Sequence, residues 1–231
     1  MKRVMGLVTL LALFALTVGC VPSVFSIFTE ENIMEDPALE GVWQFRGEVG
    51  PTWTITPMGR SWGKQYRLVI EFSETHEDIH DPPRTVWNLR TGKIGDHQFI
   101  EIRPQPNPAV HPGSFYGGHF ERFYSFWKVS IDGDELSLVG MSMPWLERQI
   151  EVGAVQIAHV ERESELLLLT ASTEALQAFV LAHADNREAF ATGGEKAMVM
   201  RFLRVLQAGD PEDAPGTDSE SLDAADHERE S

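Results

Sequence analysis

The chain has 231 residues, a formal net charge of −16 at pH 7 and a mean hydropathy of −0.19. This acidity excludes a protein that binds nucleic acid through a cationic surface, because such binding depends on lysine and arginine contacts to phosphate. It also argues against direct electrostatic adhesion to anionic lipid. The single cysteine, Cys20, excludes an intramolecular disulfide framework.

Residues 1–19 have the organisation of an export signal. Two basic residues precede an uncharged, apolar run, as in the charged and apolar regions of a signal peptide. Small residues then lead to Cys20, and this stretch, "TVGC", resembles the lipobox of bacterial lipoproteins, which implies that Cys20 is lipidated as the first mature residue. The alternative is an uncleaved membrane anchor that continues to Phe28.

Both interpretations place the rest of the chain outside the cytoplasm, in a bacterial cell envelope. We expect a tether over residues 20–36, a single folded domain over 37–206 and a disordered tail over 207–231. The tail is acidic and nearly free of apolar side chains, so it cannot bury enough surface to offset its ordering entropy. With a lipid on Cys20, the membrane is the first expected partner.

The first half of the domain predicts consecutive antiparallel strands. The stretches "GVWQF", "TWTITP" and "QYRLVIEFS" are typical of strands, and apolar residues alternate with others from Tyr66 to Phe72, as on a sheet with one buried face. Gly59 and Gly63 supply a turn between the second and third strands. Next, "TVWNLR" and "HQFIEIRP" flank "TGKIGD", which predicts a hairpin.

The second half predicts one more hairpin, two helices and a short strand pair. Asp132-Gly133 lies between "RFYSFWKVSI" and "ELSLVGMSM", and this dipeptide favours a type I′ turn. A short helix over "PWLERQIEV" follows, and then "VQIAHVERE" and "ELLLLT" as paired strands. Ser172 or Thr173 caps a helix to Ala184 whose apolar stripe should lie on the sheet. "AMVMRFLRV" is ambiguous between strand and helix, with a closing strand favoured.

This order of elements predicts a mainly β (α+β) protein: an antiparallel β-sandwich or a lipocalin-like barrel with a packed C-terminal helix. Gly41-Val42-Trp43 resembles the G-x-W start of lipocalin-like barrels. The layout from Leu39 to Phe190, most specifically "LTASTEALQAF" followed by "ADNREAF", is similar to an uncharacterised family of lipid-anchored bacterial envelope proteins. That resemblance implies an envelope location and a β-rich fold, and it brings no known activity.

Residues 76–80 read HEDIH and satisfy the H-E-x-x-H pattern of zinc peptidases. That chemistry requires a helix, which places the two imidazoles on one zinc and the glutamate beside the bound water. Here the motif follows a strand directly and is closed by Pro82-Pro83, so we interpret it as a polar loop. The alternative is a metal site that includes His76 and His80.

Residues 114–127, "SFYGGHFERFYSFW", are rich in aromatic side chains. From Phe120 onward both faces of the predicted strand are apolar, which is typical of a strand buried on both sides. The alternative is an apolar ligand site formed by Phe120, Tyr124 and Phe126, because ligand pockets are mostly apolar with a few polar groups.

Together these patterns favour a non-enzymatic lipoprotein that binds a small apolar ligand or an envelope protein at the membrane surface. The sequence indicates no catalytic residue and no cofactor. The alternatives are a metal-dependent hydrolase that uses the HEDIH segment and a purely structural lipoprotein that forms complexes.

Overall fold

The computed structural model describes residues 21–47, 50–59, 62–72, 84–105, 123–161, 167–190 and 198–205. Four features that the sequence singles out lie outside these ranges: the signal segment with Cys20, the HEDIH segment with His76 and His80, the side chain of Phe120, and the acidic tail.

Strands dominate the described part of the chain. They are β1 (Pro22–Ser23), β2 (Ile33–Met34), β3 (Gly41–Phe45), β4 (Pro51–Pro57), β5 (Tyr66–Phe72), β6 (Arg84–Ile94), β7 (His97–Pro104), β8 (Tyr124–Asp132), β9 (Glu135–Gly140), β10 (His159–Glu161), β11 (Leu167–Leu169) and β12 (Val199–Arg204). The helices are α1 (Met143–Glu151) and α2 (Thr173–His183), and a short 3-10 turn covers Pro37–Leu39.

Eight of the strands form a closed antiparallel barrel. Strands β3 to β9 follow one another as an up-and-down meander, and β12 lies between β9 and β3, antiparallel to both. Pairing of β8 with β9 completes the ring. The fold is therefore a lipocalin-like barrel rather than a sandwich, and the ambiguous "AMVMRFLRV" segment provides the closing strand.

The interior of the barrel follows from the alternation in its strands. On β5, Tyr66, Leu68 and Ile70 are buried in the interior while Arg67 is exposed, which confirms the predicted inward positions. Val69, predicted on the opposite face with Arg67, is buried as well. On β7 and β8, Ile100 and Trp127 point inward, and their neighbours Phe99 and Phe126 belong to a second core outside the barrel. Strands β7 and β8 are therefore buried on both faces.

Two hairpins differ in detail from the sequence prediction. Strand β6 continues through the expected loop to Ile94, which pairs with His97, so the turn contains only Gly95 and Asp96. The longer strand is stabilised because the Ile94 side chain is buried in the outer core. In the next hairpin Asp132 pairs with Glu135, so the turn residues are Gly133, at φ 56°, and the aspartate that follows it.

The outer core covers one side of the barrel. Helix α1 begins after Ser142, whose Oγ accepts the Trp145 N–H at 3.3 Å, and Pro144 occupies the first turn as expected. Helix α2 begins after Ser172, and its stripe of Leu176, Phe179 and Val180 is buried. The prediction that this stripe lies on the sheet is confirmed.

Residues 21–36 differ from the expected tether. Val21, Ile27, Phe28 and Ile33 are buried in the outer core. Strand β1 pairs with β8 and, in parallel, with β11, while β2 pairs with β6. The folded body thus includes the residues from Val21 onward, because their apolar side chains cover the outer face of the barrel. Within the described residues 21–28 the backbone forms strand β1 and irregular structure.

The helices of the described segments are short. Within these segments neither α1, with 9 residues, nor α2, with 11, has the length and apolar character to cross a bilayer.

Candidate functional site

The barrel interior is filled by protein side chains. An eight-stranded barrel has an interior just wide enough either to be filled by side chains or to hold one small ligand. Here Trp43, Trp53, Trp127 and Phe202 all lie inside and are buried, and the rings of Trp53 and Phe202 are 4.7 Å apart between centroids. The interior is therefore a core, and a ligand site has to be sought outside it.

One end of the barrel is closed by the G-x-W segment. The Arg204 guanidinium lies 4.1 Å from the centre of the Trp43 ring and donates to the carbonyl oxygens of Ala38, at 2.7 Å, and Glu40, at 2.5 Å. The Trp43 Nε1–H donates to the Leu39 oxygen at 2.8 Å. Gly41 has φ 126°, a conformation that other residues adopt only with strain, and a Cβ there would lie 2.8 Å from Nη1 of Arg204 and would displace it.

A buried ion pair attaches the N-terminal segment to the outer face of the barrel. Glu101 on β7 accepts from Arg90 on β6, with Nη2 to Oε1 at 2.5 Å, and also from the Ile27 N–H at 2.8 Å. Arg90 donates to the Ser26 Oγ at 2.8 Å. The pair thus joins residues 26 and 27 to strands β6 and β7, which is a structural role.

The structure places Tyr124 and Phe126 on the outer face of β8. The half-buried Tyr124 ring lies beside the guanidinium groups of Arg90, at 5.6 Å, and Arg103, at 5.3 Å, and its hydroxyl accepts from Arg103 at 3.0 Å. Phe126 is buried in the outer core. Both side chains thus have protein partners, and neither lines the cleft described next. Phe120, the third residue of that predicted ligand site, lies outside the described ranges.

A cleft of about 510 Å³ runs along helix α2. One wall is the segment of residues 154–158, and the other is the face of α2 that carries Ala175, Ala178 and Phe179. Residues 170–172 lie at one end and His183 at the other. The volume falls within the range of about 300–1,000 Å³ that is usual for small-molecule sites.

Small side chains create this cleft. Ala175 and Ala178 are exposed on α2, beside the buried stripe, and they leave room between the helix and the facing wall. That wall is held in place where the Thr170 N–H donates to the Ala158 oxygen at 2.8 Å. The Ser172 Oγ accepts the Ala175 N–H at 3.4 Å and fixes the start of the helix.

Among the described residues, the lining of the cleft is uncharged and contains no Asp, Glu, Lys or Arg. The titratable side chain in this described lining, His183, packs against the rings of Trp145 and Phe179, each 5.0 Å away between centroids. Burial lowers the pKa of His183, because the apolar surroundings disfavour the imidazolium. The imidazole is therefore neutral at neutral pH.

The sequence alone did not reveal this cleft. Its described lining lies within residues 154–183, and the two walls meet only through the fold of that stretch. The local signal is the i, i+3 spacing of Ala175 and Ala178 beside the buried stripe. His76 and His80 lie outside the described ranges. Within those ranges, no three His, Cys, Asp or Glu side chains are grouped as in a metal site.

No protein-family model, no curated protein and no solved structure matches the chain. Its function has to be inferred from its own residues and geometry.

Proposed function

We propose that the chain is a bacterial lipoprotein, anchored through Cys20, whose barrel serves as a non-enzymatic module that binds a small, uncharged, apolar ligand at the membrane surface. The observation that carries the proposal is the uncharged cleft along α2, which has the volume of a small-molecule site. The anchor is supported by the lipobox-like stretch that ends at Cys20.

The filled barrel supports a role as a rigid scaffold. Its interior contains several large buried aromatic side chains, among them Trp43, Trp53 and Trp127, so the barrel holds the cleft walls in place and leaves ligand binding to its outer surface. Binding sites on rigid elements keep their shape, which lowers the entropy lost when a ligand binds.

The distribution of charge supports a neutral ligand. The chain carries a formal net charge of −16, yet none of the described residues that line the cleft is Asp, Glu, Lys or Arg. An anionic ligand would be repelled by the protein as a whole, and a cationic one would find no carboxylate partner in this described lining. The polar groups that are available, Thr170, Ser172 and Gln156, suit one or two hydrogen bonds to an otherwise apolar molecule.

The test blocks the cleft without disturbing the core. Ala178→Trp places a large ring on an exposed position of the cleft wall, and Leu203→Trp places the same ring on an exposed position of β12, outside the lining. We expect Ala178→Trp to weaken binding of the neutral dye Nile red by at least about tenfold, equivalent to about 1.4 kcal/mol. Leu203→Trp should bind like the natural chain.

The dye titration is to be accompanied by a native mass spectrum of each protein after purification from its membrane. A small apolar adduct on the natural chain and on Leu203→Trp, lost from Ala178→Trp, would support the proposal. Equal dye binding by all three proteins would contradict it.

A further inference from the structure

We propose that the barrel lies against the lipid bilayer through a defined face, in which Val24 and Phe25 enter the membrane interface. This inference rests on the Cys20 anchor of the proposed function. The contact face consists of the edge of the sheet formed by β1, β11 and β10, with Val24, Phe25 and Val160 as its exposed apolar side chains.

The first argument is that the folded body begins one residue after the proposed anchor, Cys20. Val21 is 1% exposed. The next two residues are paired with β8 and β11, and the Val24 N–H donates to the Leu169 oxygen at 2.9 Å. Consecutive Cα atoms are about 3.8 Å apart, so a lipid on Cys20 is attached one residue from a fixed point of the structure. The barrel surface around Val21 therefore has to be at the membrane.

The second argument is the exposure of apolar side chains at that same place. Val24 is 37% exposed, Phe25 48% and Val160 46%. Phe25 follows Cys20 by five residues, a span of at most about 18 Å. Val160 pairs with Leu168 on β11, two strands from β1 and so about 10 Å away. Contact with lipid would remove these side chains from water, which is favourable for each of them.

The opposite side of the barrel offers a matched control. Trp62 is 59% exposed, in the turn between β4 and β5. Strand β1 pairs with β8. In the ring of eight strands β4 is four places from β8 in either direction, so β4 lies on the side of the barrel opposite β8 and β1. Trp62 and Phe25 are thus comparably exposed aromatic side chains, of which only Phe25 faces the proposed bilayer.

The experiment places one fluorophore at each position in the full-length lipoprotein. Cys20 is the only natural cysteine, so after its lipidation Phe25→Cys or Trp62→Cys supplies a single free thiol for labelling. The labelled proteins are reconstituted in phosphatidylcholine vesicles that contain a nitroxide-labelled lipid. We expect the label at position 25 to be quenched at least about twofold more than the label at position 62, because interfacial groups lie about 5–10 Å deep.

A second pair of variants guards against local disturbance by the substitution. Val160→Cys lies on the same proposed face and should be quenched more than Leu203→Cys, a similarly exposed aliphatic position on β12. Equal quenching within both pairs, on protein whose mass shows a fatty acid on Cys20, would overturn the proposed orientation and leave the anchor intact. A mass without fatty acid would overturn the anchor and, with it, this inference.

Discussion

The buried ion pair between Arg90 and Glu101 gives a sharp prediction about how the N-terminal segment is held. Glu101 has a side chain that is 1% exposed and accepts from both Arg90 and the Ile27 N–H. Replacing it by glutamine removes the negative charge, and the new amide N–H group has to face one of these two donors. The Arg90 charge, on a side chain only 18% exposed, loses its partner.

Removal of one member of a buried ion pair typically costs about 3–5 kcal/mol, because the other charge remains buried. Here the Arg90 guanidinium keeps its bond to Ser26 and its position beside the Tyr124 ring. We therefore expect Glu101→Gln to lower the free energy of unfolding by about 2–4 kcal/mol, a large part of the ~5–15 kcal/mol that stabilises a typical domain.

Urea denaturation of the full chain, followed by tryptophan fluorescence, measures this cost. A second variant combines Arg90→Met with Glu101→Gln, which leaves no buried charge and keeps an oxygen for the Ile27 N–H. It should recover at least half of the lost stability. The matched surface control is Glu188→Gln, because Glu188 pairs with Arg148 at 3.2 Å on side chains that are more than half exposed. This control should cost no more than about 0.5 kcal/mol.

The explanation would be refuted if Glu101→Gln cost no more than the surface control. It would also be refuted if the double variant were as unstable as the single one, since the penalty would then not come from an unpaired arginine.

Three further predictions concern the anchor, the cleft histidine and the metal hypothesis. Cys20→Ala should abolish fatty-acid labelling and release the protein from the membrane fraction; full retention of the variant would contradict the anchor. The pKa of His183 is lowered in the folded protein, so as the pH falls through about 6.5 the unfolded chain binds a proton at this histidine before the folded protein does. The contribution of His183 to stability is therefore lost with falling pH. The stability advantage of the natural chain over His183→Gln should therefore shrink from pH 7.5 to pH 5, and an advantage that grows would contradict this assignment. For a hydrolase, elemental analysis should find one metal ion per chain that His76→Ala removes; we expect no stoichiometric metal, and its presence would revive that alternative.

Local patterns predicted the barrel strands well. The alternation from Tyr66 to Ile70 predicts a strand because every second side chain of a strand points to the same side, here the barrel interior. The Ser172 cap and the buried stripe of α2 are equally local, since a helix needs an acceptor for its first N–H groups and an apolar face for its packing. The closing strand β12 was ambiguous because a short apolar run fits either secondary structure until its neighbours are known.

The parts that the sequence missed depend on contacts between distant segments. Residues 21–34 have no regular period, and only their burial against β6, β7 and the helices shows that they belong to the fold. The extension of β6 to Ile94 likewise depends on the outer core, which is assembled from both ends of the chain. The cleft is more local, because its described lining lies within residues 154–183, but it forms only when residues 154–158 and 170–172 fold against α2, which no short motif in the sequence indicates.

The central claim is that an anchored barrel binds an apolar molecule in the cleft along α2. The most direct test is a native mass spectrum of the full chain extracted from its own membrane, recorded beside Ala178→Trp. We predict a chain that begins at Cys20 and carries fatty acid, with one small apolar molecule bound non-covalently and absent from the variant. An unmodified chain, or an adduct that Ala178→Trp retains in full, would contradict the account.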